Sequence, residues 1–168
     1  MPLRENERGA FQAELPGLLR SLVIPLLVGG AGAVVTGSRV RTWYPTLTKP
    51  DFTPPDWVFG PAWTTLYLLM GTAEFLVSQR EGQAEERQTA RVAYRIQLGP
   101  NGLWSLLFFG LKAPRAALVE IVLLWLAIVL TIVAFARISK TAALLLVPYL
   151  LWVSFAAILN GEIWRLNR

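Results

Sequence analysis

The chain contains neither cysteine nor histidine. Without cysteine it can form no disulfide, no thiolate nucleophile and no thiolate-ligated metal site. Without histidine it lacks the commonest metal ligand, the usual general base and the usual axial ligand of haem. Charge is scarce too: 16% of the 168 residues are charged, against 54% hydrophobic. A soluble domain of 18.7 kDa needs more charge than this to cover its surface. With a mean hydropathy of +0.47, the composition is that of an integral membrane protein. The net charge of +5 resides in tails and loops, which suits lipid headgroups and forms no basic face for nucleic acid.

What the chain has in abundance is apolar length. About 20 residues of helix cross a hydrocarbon core, and five stretches qualify: 18–37, 57–77, 93–111, 116–136 and 142–164. The third is the most polar, with Arg95, Gln97 and Asn101 inside it. Residues 112–115 and 137–140 are tight turns, so consecutive spans are antiparallel neighbours, and the expected fold is an all-α, five-transmembrane-helix bundle. Residues 1–17 read as a polar tail, mobile or lying along the interface, and residues 18–168 as one membrane domain. Ala31-Gly32-Ala33 mimics a signal-peptidase site, but the apolar run continues through Val34 and Val35 and the leader carries Glu5, Glu7 and Glu14, which argues against cleavage. Basic residues on the N-terminal side slightly outnumber those opposite, which leans the N-terminus towards the cytoplasm.

Helical spacing sorts several residues by face. Gly60, Trp63 and Tyr67 fall together in the second span, Gln97, Asn101, Trp104 and Ser105 in the third, and Tyr149, Trp152, Ala156 and Leu159 or Asn160 in the fifth. Amides at mid-membrane are costly unless they face the bundle or a cavity, so Gln97 and Asn101 point inward. Two readings stay open. The amides and rings simply hold neighbouring helices together, or three such stripes line a cavity in which small Ala156 leaves room beside Trp152 for a flat aromatic guest. Gly29, Ala33 and Gly37 recur at i+4 and mark a close helix approach, within the bundle or across a homodimer seam. Trp125 and Trp164 are expected at the lipid or interfacial surface, Glu120 in a local ion pair with Arg115, and a kink at Pro100.

The loop into the second span is dense in rings and prolines: Trp43-Tyr44-x-x-Leu47-x-Lys49-Pro50, then Pro54-Pro55-x-Trp57-Val58-Phe59-Gly60-Pro61-x-Trp63-Thr64-x-Leu66-Tyr67 and Met70-Gly71. With Gln97-Leu98-x-x-Asn101-x-x-Trp104-Ser105, Phe108-Phe109, Pro148-Tyr149-Leu150-x-Trp152 and Phe155-Ala156-x-x-Leu159-Asn160, these motifs resemble the translocator protein (TspO/MBR) family, from about Pro25 to Asn167. The resemblance implies five transmembrane helices, often a homodimer, and a pocket closed by the first loop. In the family that pocket accepts porphyrins and haem-related tetrapyrroles, sterols in animal members and synthetic isoquinoline carboxamides.

Carried over position by position, the resemblance implies ligand contacts from Tyr44 in the lid, Trp63 and Tyr67, Asn101 and Trp104, and Trp152, Ala156 and Leu159. In some bacterial relatives tryptophans at the positions of Trp63 and Trp152 support light-dependent breakdown of bound protoporphyrin, which makes these two the catalytic candidates here. Two departures stand out. Gly161 replaces the tyrosine of the animal sterol motif, so sterol transport is not implied, and Gly99-Pro100 replaces the usual apolar pair before Asn101.

Three functions follow as expectations. The first is a tetrapyrrole-binding protein of a bacterial membrane that senses or sequesters its ligand, with Lys49, Arg39 or Arg41 meeting the propionates and no resident cofactor or metal. The second is a photo-oxidative enzyme that borrows the chemistry of the bound porphyrin. The third is a transporter, although inverted repeats and paired broken helices are not evident.

Overall fold

The computed structural model describes residues 5–81 and 84–168, with side chains from Glu14 onward in the first helix. Every regular element in it is helical: α1 Glu5–Thr42, α2 Phe59–Ser78, α3 Ala84–Ser105, α4 Pro114–Ala136, α5 Lys140–Leu145 and α6 Val147–Leu166. Helices α5 and α6 together cover the segment expected to be the fifth span. They part at Leu146, because Pro148 has no N–H to continue the ladder, and the Ser139 hydroxyl caps α5 by accepting from Ala142 N at 3.3 Å.

Three helices are long and apolar enough to cross a membrane by length and composition: Glu14–Thr42, Pro114–Ala136 and Lys140–Leu166. The other two long helices, α2 and α3, dilute their apolar residues with the glycines, amides and rings that face inward. Helix α1 starts inside the segment expected to be a polar tail. Residues 1–4 of that tail lie outside the described residues.

The helices close into a ring in the order α1, α2, α5/α6, α4, α3 and back to α1. Their outer faces are rows of bare aliphatic side chains, such as Val34, Leu27, Leu130 and Leu151, each more than half exposed. In water such a surface would aggregate, whereas in lipid it is the expected coat. The core is centred on Met70, Leu124, Ile128, Phe135, Tyr149 and Val153.

Two local features shape the passage from α3 to α4. Helix α3 runs through Pro100 to Ser105 without a break, and the irregularity comes one turn later as a π-helical segment, Leu106–Gly110. A widened turn shifts the register by a residue, and this one lets adjacent Phe108 and Phe109 both point inward, 2% and 8% exposed. Beyond it Lys112 has φ of 53°. This left-handed residue, uncommon for a side chain of that size, reverses the chain directly into Pro114 at the start of α4.

Candidate functional site

The lid-side half of the ring encloses a cavity of about 400 Å³, within the usual range for small-molecule sites. Its walls follow from the inward stripes. On α2, Trp63 stacks on Tyr67, centroids 5.5 Å apart and planes 26° from parallel. On α3, Trp104 stacks on Phe108 at 5.0 Å and 18°. On α6, Trp152 meets Phe59 edge-on at 5.9 Å. Tyr44, Trp63, Tyr67, Asn101, Trp104, Trp152, Ala156 and Leu159 all line this one cavity.

A chain of hydrogen bonds crosses the floor. Tyr67 donates its hydroxyl to Asn101 Oδ1 at 2.8 Å, and Asn101 Nδ2 donates to Tyr149 Oη at 2.8 Å. Tyr149 in turn donates to Gln97 Oε1 at 3.0 Å. All four residues are buried. The chain joins α2, α3 and α6, so the two amides satisfy one another's neighbours rather than standing free. A second link fixes the Trp104 ring: its Nε1 donates to Asn160 Oδ1 at 3.1 Å, and Asn160 Nδ2 donates to Pro114 O at 2.8 Å. Asn101 therefore serves both expectations, tying helices together and lining the cavity, whereas Gln97 and Tyr149 tie helices together but do not line it.

The lid is held from two sides. Tyr44, only 4% exposed, packs its ring 5.8 Å from Phe109. Lys49 Nζ donates to Tyr44 O at 3.1 Å and sits 4.6 Å from the Tyr44 ring centre, a cation–π contact. Asn167, just past α6, accepts from Thr48 N at 2.9 Å and donates back to Thr48 O at 2.8 Å. Asp56 stands at the cavity rim. Its charge and, more strongly, burial push the Tyr44 hydroxyl pKa up from 10.0 to about 12.

Electrostatics at the rim differ from expectation. Among the described residues, Asp56 is the single charged side chain lining the cavity, and Lys49, Arg39 and Arg41 do not line it. Lys49 is engaged within the lid instead. The cavity is therefore apolar with a negative rim.

Other expectations are corrected by helix geometry. Glu120 does not pair with Arg115: the ion pairs found among the described residues are Arg91–Glu74 and Arg165–Glu162. Five residues along a helix turn the side chain by about 140°, so Arg115 faces out while Glu120 is buried with neither carboxyl oxygen hydrogen-bonded. Trp125 lies half-buried outside the cavity and donates to Ser154 Oγ on α6 at 2.8 Å, which adds a bridge between helices. Of the small-residue stripe on α1, Gly29 and Ala33 line the cavity while Gly37 meets open space.

Two parts of the wall carry little or no mark in the sequence. Ile121 and Leu124 of α4 line the cavity, but nothing in a uniformly aliphatic helix marks which side turns inward. The α1 wall, from Leu26 to Val40, was signalled only by its glycines. The described residues hold no group of three or more His, Asp or Glu side chains suited to a metal.

The model of the TspO/MBR family matches residues 21–165. The chain is 51% identical over 142 residues to the tryptophan-rich protein TspO of Chlorobaculum tepidum, covering 84% of this chain and 90% of the relative. It is 46% identical over 150 residues to the protein of the same name from Archaeoglobus fulgidus, covering 89% and 96%. Against the human translocator protein the identity is 41% over 134 residues, 79% of each chain. This chain belongs to the TspO/MBR family of membrane proteins.

Proposed function

We propose that the protein is a membrane-embedded receptor for flat hydrophobic ligands, tetrapyrroles foremost, which it sequesters or senses in the cavity beneath the first loop. The observation that carries this reading is the pairing of an enclosed apolar chamber with stacked rings on separate helices, Trp63–Tyr67 and Trp104–Phe108. Rings held in advance by hydrogen bonds lose little freedom on taking up a planar guest. All five helical segments cross the membrane in this reading, in a bacterial envelope and as a homodimer. Relatives named tryptophan-rich sensory protein, from Cereibacter sphaeroides, and translocator protein, from Bos taurus, support a sensing or carrier role.

The negative rim constrains how a porphyrin lies. Its macrocycle belongs against the rings, and its propionates must lie away from Asp56, towards the membrane surface where the loop cations are. Uncharged flat ligands meet no such restriction.

A second reading, light-dependent breakdown of the porphyrin, is favoured by one observation: Trp63 and Trp152 both face the cavity, where indoles can exchange electrons with an excited guest. Dark and illuminated incubation of the purified protein with protoporphyrin IX separates the two. A binder leaves the absorption spectrum intact under light, apart from the bleaching seen with free porphyrin. An enzyme accelerates that loss, and Trp63→Phe and Trp152→Phe slow it. Absence of saturable binding in the dark overturns both readings.

A further inference from the structure

Helices α1 and α2 touch closely in one half of the membrane and part in the other. At Gly71 an added Cβ would lie 2.9 Å from Leu22 Cα and 3.0 Å from Ser21 O, so the two backbones meet there. At Gly29 the Tyr67 ring fills the side-chain space. Beside and beyond these contacts there is space: a Cβ at Gly30 on α1 or at Gly60 on α2 would meet nothing within 4 Å. The antiparallel register set by these contacts puts Ala33 and Thr36 level with the turn from Gly60 to Trp63. The parted stretch from Gly29 to Thr36 is about 10 Å long at 1.5 Å per residue.

The residues along this gap have two faces. Gly30, Ala33, Gly60 and Thr64 are all exposed, and each lines the cavity. The top of the chamber is the opposite case. Tyr44 is buried, Lys49 grips it, and Asn167 bonds both the N–H and the carbonyl of Thr48. The loop over the chamber is thus pinned from two sides, while small, exposed residues border the chamber between α1 and α2.

We infer that ligands enter and leave sideways from the bilayer, between α1 and α2, through a slit floored by the Gly29–Tyr67 contact and bordered by Gly30, Ala33, Gly60 and Thr64. The substrate class follows: molecules that first dissolve in the lid-side leaflet, so that membrane partitioning raises their local concentration before binding. Only the identity of the ligand rests on the tetrapyrrole reading. The route itself is a property of the chamber.

The absence of cysteine permits a test that needs no porphyrin. Ala156→Cys places a single thiol on the cavity wall of the full chain reconstituted in lipid vesicles. N-pyrenylmaleimide, which partitions into lipid, and a charged trimethylammonium methanethiosulfonate, which does not, are compared as probes. The expected result is rapid labelling by the maleimide and at least tenfold slower modification by the charged reagent relative to an exposed cysteine. Gly30→Phe and Gly60→Phe, each made separately at an open position, slow maleimide labelling at least tenfold with circular dichroism unchanged. Asn167→Ala, which frees the loop, leaves the rate unchanged. Fast modification by the charged reagent, acceleration by Asn167→Ala, or labelling unaffected by both plugs overturns the inference. A labelling pattern as expected in a protein that shows no saturable porphyrin binding retains the lateral route and rejects the tetrapyrrole reading.

Discussion

Gly29 of α1 and Tyr67 of α2 are a matched pair: the phenol ring occupies the space a side chain on Gly29 would need, and in that position its hydroxyl lies 2.8 Å from Asn101 Oδ1. The missing side chain on one helix sets the hydrogen-bond chain on another. Gly29→Ala must displace Tyr67 from Asn101 and unlink a buried polar group, which costs about 2 kcal/mol. Thermal unfolding in detergent should show the loss. In a Tyr67→Ala background the same change at Gly29 should cost far less, since nothing remains to displace; equal costs in both backgrounds would contradict the pairing.

Asp56 and Tyr44 couple the rim to pH and to ligand charge. The Tyr44 pKa is raised to about 12, so the folded protein holds that proton more tightly than the unfolded chain does. The sign of the linkage is therefore fixed: the contribution is complete below pH 10 and is lost as pH rises through about 12. Tyr44→Phe should remove this alkaline step from a stability-versus-pH curve. Asp56→Asn should shift the step to lower pH, because burial alone then remains. It should also tighten binding of the dianionic protoporphyrin severalfold at low salt while leaving the uncharged dimethyl ester unaffected. A common effect on both ligands would separate Asp56 from any electrostatic role.

Glu120 lies buried in α4 with both carboxyl oxygens unpartnered, a costly arrangement in any apolar setting. Glu120→Leu should raise the unfolding temperature by a few degrees, equivalent to about 1 kcal/mol. A clear destabilisation would mean the carboxyl has a partner in the membrane-embedded protein.

Much of this was legible in the sequence, and the rest was hidden for physical reasons. The helices could be read because apolar runs of membrane length have few other uses. The faces of α2, α3 and α6 could be read because Trp63, Asn101 and Trp152 are residue types whose burial must be accounted for. Helix α4 could not, because Ile121 and Leu124 are no different in kind from lipid-facing Leu123 and Leu126. Charged partners misled for another reason: Glu120 and Arg115 are close in sequence but on different sides of their helix, and Lys49 is occupied by Tyr44 next to it in the loop. The π-helical segment at Leu106–Gly110 leaves no compositional mark beyond two adjacent phenylalanines.

The central claim is that the guest occupies the space beside Ala156. The most direct measurement is a tryptophan-fluorescence titration with protoporphyrin IX in the dark, comparing the parent chain with Ala156→Trp, which fills that space, and Ile158→Trp, which adds the same ring on the lipid-facing side where Ile158 is 62% exposed. The account predicts saturable quenching in the parent chain and in Ile158→Trp, and at least tenfold weaker binding in Ala156→Trp with the bundle still folded. Equal affinity in all three proteins would place any bound porphyrin outside the cavity and contradict the account.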